Sequence, residues 1–142
     1  MKKRLVALLL ICMVVFTACS GGGESATSYT EVNVTEGITL TLNEDTLKKA
    51  KATFTLTNNT QEAAKYSTYE YHFEKMKDGQ WNEFTGTAKT AWGDDRSLLE
   101  AGEAVELVYD WKMLCGTTLT DEQYRLIILV NESPVAVEFI GK

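Results

Sequence analysis

Apolar and polar residues alternate with a period of two through most of this chain, and no other feature restricts the fold as tightly. Val32 and Val34 alternate with Asn33 and Thr35. Ile38, Leu40 and Leu42 alternate with Thr39 and Thr41. Ala52, Phe54 and Leu56 alternate with Lys51, Thr53, Thr55 and Thr57. Tyr69, Tyr71 and Phe73 alternate with Glu70, His72 and Glu74. Val105, Leu107, Tyr109 and Trp111 alternate with Glu106, Val108 and Asp110. Val135, Val137 and Phe139 alternate with Ala136 and Glu138. Successive side chains of a strand point to opposite faces, so each run predicts a strand with one face on a core and one in water. Threonine at the polar positions suits a pleated surface. Residues 124–130 differ, because both parities are apolar after Arg125. That predicts a central strand covered on both sides.

Turn chemistry separates the runs. Asp78-Gly79 accommodates the positive φ values of a two-residue type I′ hairpin. That loop pairs Met76 with Trp81 and Phe73 with Phe84. It also sets Glu74 opposite Glu83, a mildly unfavourable pair, and points Trp81 away from the face of Phe73 and Phe84. Asn58-Asn59-Thr60, Gly93-Asp94-Asp95 and Ala101-Gly102-Glu103 mark further loops. Pro134 opens the last strand, where a missing N–H is tolerated. Only residues 43–50 suggest a helical turn, capped by Asn43 or Asp45. Many short strands with polar turns give an all-β fold, an antiparallel β-sandwich of about 7–9 strands.

The N-terminus reads differently. Met1-Lys2-Lys3-Arg4 is basic, residues 5–16 carry no charge, and Thr17-Ala18 supplies small residues ahead of Cys19. This is the layout of an export signal. The apolar run is shorter than the roughly 20 residues of a membrane-spanning helix. Val15-Phe16-Thr17-Ala18-Cys19 resembles the lipobox of bacterial lipoproteins, with Phe16 in place of the commoner Leu. The resemblance implies cleavage before Cys19 and attachment of a diacylglyceryl group to its sulfur. Two acyl chains hold a protein at a bilayer where one would exchange. Residues 1–18 are thus expected to be a cleaved signal peptide and residues 19–28 a lipidated cysteine with a Gly/Ser-rich tether. Nine residues after Cys19 reach about 30 Å when extended. Residues 29–142 form the domain. The expected location is extracytoplasmic, on the outer face of the cell membrane, or at an outer membrane in a two-membrane envelope.

From about residue 37 to 130 the chain resembles the bacterial immunoglobulin-like domains of small lipoproteins and surface proteins. Residues 53–60 match a strand ending in an Asn-rich turn, and residues 73–81 match a hairpin followed by Trp. Residues 99–103 match a Leu-x-Pro-Gly-Glu turn with Ala101 for proline. Residues 119–125 match a Leu-x-x-Gly-x-Tyr-Arg corner with Glu122 for glycine. The resemblance implies a tyrosine corner at Tyr124, whose hydroxyl bonds backbone a few residues upstream. These are scaffold motifs and carry no catalytic residues.

The search for chemistry narrows the functional classes. With Cys12 in the leader and Cys19 acylated, Cys115 is the one thiol left in the domain, so no internal disulfide is expected. His72 is the sole histidine, and no His/Cys cluster with metal-ligand spacing exists. No cofactor and no enzymatic activity are expected. The net charge of −6 becomes more negative once Lys2, Lys3 and Arg4 leave with the leader, which argues against nucleic acid. Trp81, Trp92 and Trp111 are the candidate ligand contacts, as aromatics that stack on glycans or anchor a protein interface. The sequence therefore points to a membrane-anchored, non-catalytic binding module whose partners are membrane lipid, through Cys19, and an envelope protein or wall polymer. The alternative is a proteinase inhibitor on the same scaffold, since the strand and turn rhythm also resembles the intracellular proteinase inhibitors of bacilli.

Overall fold

The structure is a computed structural model that describes residues 24–84 and 96–142. Nine strands and one short helix follow in chain order: β1 (Glu24–Ala26), β2 (Ile38–Leu42), β3 (Lys51–Asn58), β4 (Ala64–Lys77), β5 (Gln80–Phe84), β6 (Ser97–Leu99), β7 (Ala104–Asp110), α1 (Trp111–Cys115), β8 (Gln123–Val130) and β9 (Ser133–Ile140). A 3₁₀ turn at Glu44–Thr46 lies between β2 and β3. The larger sheet has the order β1-β5-β4-β8-β9, with β6 also on β4. The smaller has the order β2-β3-β7, and all pairings are antiparallel.

The inner faces follow the parity of the sequence. Leu40, Phe54, Leu56, Leu107 and Tyr109 of the small sheet meet Phe73, Leu126, Ile128 and Phe139 of the large one. Phe73 is the hub of an aromatic stack, its ring centroid 4.2 Å from Trp111 and 5.4 Å from Tyr124. The hairpin at Asp78-Gly79 has φ values of 52° and 76°. Its register pairs Met76 with Trp81 and Glu74 with Glu83. Phe73 and Phe84 stack on the inner side at 5.3 Å. Asn58 is fully buried at the end of β3 and uses its whole amide. It donates to the carbonyls of Glu62 and Leu99 and accepts from Thr60 N–H and Oγ1–H, which fixes the following turn. The Tyr124 hydroxyl accepts from Thr120 N–H, four residues upstream, at 3.1 Å.

Three expectations are corrected. Val32 and Val34 do not lie in a strand, because Asn33 adopts φ 59° and breaks the extended run. Trp111 does not continue β7. Asp110 accepts from Met113 N–H at 3.0 Å and caps α1, whose first residue is Trp111. Alternation alone cannot mark that end, since an apolar first helical residue keeps the parity of the strand before it. Residues 24–28, assigned to the tether by composition, include β1, which pairs with β5 through Glu24↔Phe84, Ser25↔Glu83 and Ala26↔Asn82. No helix among the described residues is long and apolar enough to cross a membrane.

Candidate functional site

Polar and ionisable side chains gather on the outer face of the large sheet. The pleat puts His72 and Glu74 of β4, Trp81 and Glu83 of β5, and Arg125 and Ile127 of β8 on the side opposite the core. A face of this composition would normally be wet. Instead Glu74 and Ile127 have no exposed surface, Arg125 has 4 % and Glu83 5 %.

The cover is the N-terminal segment. After β1, Thr27 N–H donates to Trp81 O at 3.1 Å, and the chain then leaves the edge and crosses the face. Thr27 Oγ1 donates to Glu74 Oε1. Arg125 binds the other oxygen of Glu74 through Nε at 2.6 Å and Nη2 at 2.5 Å. Nη2 also reaches Thr27 Oγ1 at 3.3 Å and Tyr29 O at 3.2 Å. Trp81 closes the arrangement from the side, its ring centroid 4.6 Å from the guanidinium carbon, within cation–π range. Farther along, Asn33 N–H donates to Pro134 O at 2.9 Å. The Asn33 amide then brackets Ala136, accepting from its N–H at 2.7 Å and donating to its carbonyl at 3.1 Å. Residues 24–33 thus form a strap from one edge strand of the sheet, β5, to the other, β9.

Beside the Arg125 cluster, Tyr29 Oη lies 2.8 Å from His72 Nε2, and His72 Nδ1 lies 2.7 Å from Glu83 Oε1. Burial, and then the Glu83, Glu70 and Glu74 carboxylates, raise the Tyr29 pKa above its usual value, so the phenol keeps its proton. The partners therefore assign Tyr29 O–H to donate to Nε2 and His72 Nδ1–H to face Glu83. Hydroxyl, imidazole and carboxylate stand in the order of a nucleophilic relay. The raised Tyr29 pKa runs opposite to nucleophile activation, so the arrangement acts as a lock that joins strap to sheet.

The three tryptophans fare differently. Trp81 lies on the outer face and is half-buried, stacked on Arg125. Trp111 is 0 % exposed within the aromatic stack, which removes it from the ligand-contact candidates. Trp92 falls outside the described residues, as does Cys19. Among the described residues, no group of three or more His, Cys, Asp or Glu side chains is placed to hold a metal ion.

The model of one family, described as bacterial Ig-like domain, matches residues 34–140. The chain belongs to that family. The match takes in both sheets except β1, and it begins where the strap ends. No curated protein matches the sequence. Among solved structures, the chain is similar to the Pseudomonas fluorescens alkylpurine DNA glycosylase AlkC bound to DNA containing an abasic site analog. Identity is 12 % and the TM-score 0.38, over 75 % of this chain and 30 % of that chain.

Register alone places Trp81 on the outer face, whereas Arg125 and the strap do not stand out in the sequence as parts of a site. The available signals were the Glu74–Glu83 pair, which needs positive or donor groups nearby, and the single charge on an otherwise apolar β8.

Proposed function

We propose that this chain is an exported bacterial lipoprotein. Cys19 carries the acyl anchor, and the Ig-like domain serves as a non-catalytic binding module at the outer face of the membrane. The observation that carries the reading is the basic and apolar leader ending in Thr17-Ala18-Cys19, placed ahead of a domain of the bacterial Ig-like family. Confinement to the membrane surface raises the effective concentration of such a module for its neighbours. Trp81, half-buried on the outer face, is the tryptophan this reading offers to a partner.

Fractionation of cells producing wild type and Cys19→Ser tests the anchor. Wild type is expected in membranes with a diacylglyceryl mass on its N-terminal peptide. Cys19→Ser is expected in the soluble fraction or as unprocessed precursor, and a variant still acylated and membrane-bound overturns the anchor. Cross-linking from native membranes tests the module. Failure to enrich any protein or wall polymer over an unrelated lipoprotein removes that part.

A further inference from the structure

The strap and the face beneath it have the character of a ligand in a site. An ordinary solvent-facing sheet does not gather Arg125, Glu74, His72 and Glu83 under cover, because burying charge is costly without complete pairing. Here the strap supplies part of that pairing. Thr27 supplies a hydroxyl to both Glu74 and Arg125, Tyr29 supplies a carbonyl to Arg125 and a phenol to His72, and β1 adds three residues to the free edge of β5. This is how extended peptides are recognised: main-chain pairing at a sheet edge, with pockets reading alternate side chains. Thr27 and Tyr29 are two apart, the strand repeat.

Two further observations make the strap separable. The match to the bacterial Ig-like family begins at residue 34, just past the strap. The three β1 residues are all exposed, and the strap is joined to β2 through Val34, 60 % exposed, and Gly37 at φ 82°. Exposed backbone pairing is one mark of a segment that opens below the global stability.

We propose that the outer face of the large sheet is a peptide-recognition groove held closed by the chain's own strap. When the strap lifts, the groove accepts in trans an extended segment carrying a Thr hydroxyl two residues before a Tyr. The partner committed to is the strap of a second copy of this chain, since its contacts in trans repeat those made in cis and exchange needs no new chemistry. The inference rests on the binding-module reading and names its partner. The anchor contributes only by crowding copies together.

The test uses full-length chain in detergent and a fluorescent synthetic peptide of residues 24–34. Thr27→Val/Tyr29→Phe loosens the strap without altering the sheet. Hydrogen exchange of this variant is expected to show strap amides opening well before those of β8. The peptide is expected to bind the variant saturably and at least about tenfold more tightly than wild type. A peptide with the same two substitutions is expected to bind at least about tenfold more weakly, the scale of one hydrogen bond to a charged group. Sedimentation is expected to show wild-type chain dimerising with rising concentration and the variant less so. Strap amides that open only with β8, or equal binding of the two peptides, overturn the groove. Peptide binding without any dimer of the wild-type chain overturns the second copy as partner. Equal peptide binding by Cys19→Ser chain shows that the groove stands even where the anchor reading fails.

Discussion

Glu74 and Glu83 face each other directly across the β4–β5 hairpin, and each carboxylate is turned to a different partner. Arg125 holds Glu74 at 2.5 Å, and the His72 imidazole holds Glu83 at 2.7 Å. A like-charge cross-strand pair, unfavourable alone, is thereby the seat of a buried, hydrogen-bonded polar cluster on the outer face of the sheet.

Breaking that arrangement from one side has a definite sign. Arg125→Met leaves the Glu74 carboxylate with no exposed surface and no cation, and is expected to cost about 3–5 kcal/mol. Arg125→Met together with Glu74→Met replaces both charges by apolar side chains and is expected to recover most of that loss. Urea unfolding of the two single variants and the double variant gives the coupling. An Arg125→Met cost below about 1 kcal/mol shows that the pair is not desolvated in solution.

Alkaline pH acts through the core. Burial, and secondarily Cys115, pushes the Tyr71 hydroxyl up to about 12, and burial raises Tyr109 further. Both folded-state values lie above the unfolded value near 10, so these groups contribute stability that is whole below pH 10. It is lost as the pH rises from 10 through about 12. Absorbance titration of phenolate is expected to show two tyrosines ionising only together with unfolding. Smooth ionisation of all six tyrosines near pH 10 in the folded protein contradicts it.

The β8–β9 turn carries strain that can be removed. Asn131 and Glu132 sit at φ 47° and 66°, the type I′ pattern, yet Glu132 carries a side chain that disfavours this region. Glu132→Gly is expected to stabilise the domain by about 0.5–1 kcal/mol, the relief outweighing the added freedom of the unfolded chain. A lowered melting temperature refutes this.

Gly141 marks a close approach at the other end of β9. A Cβ there would lie 2.2 Å from Thr120 O and 2.8 Å from Tyr124 Cε2, beside the corner where Thr120 N–H meets the Tyr124 hydroxyl. Gly141→Ala is expected to cost about 1–3 kcal/mol by overpacking. Tyr124→Phe is expected to cost about 1 kcal/mol by leaving that N–H unpaired. Denaturant midpoints of the two variants measure both, and an unaffected Gly141→Ala midpoint shows that the terminus swings clear.

Strand parity and turn chemistry made most of the fold legible. Asp78-Gly79 set its hairpin register because positive φ at both positions leaves a single loop length, and Phe54 and Phe73 took the core face their spacing requires. What was not legible obeys other rules. The helix at Trp111 depends on the Asp110 cap, which leaves no trace in apolar spacing. The strap binds through Thr27, Tyr29 and Asn33 with hydroxyls, an amide and backbone, so its composition reads as linker. Ile127 and Leu129 carried an apolar hint: apolar residues on the outer parity of β8 imply a cover that no alternating run supplied.

The two ends of the strap have one more effect. Open sheets invite other chains to add strands along their margins. β1 lies along one margin of the large sheet as a strand of only three residues, and Asn33 occupies backbone groups of Ala136 and Pro134 on the other. A single ten-residue ribbon therefore guards both flanks of the sheet against indiscriminate aggregation.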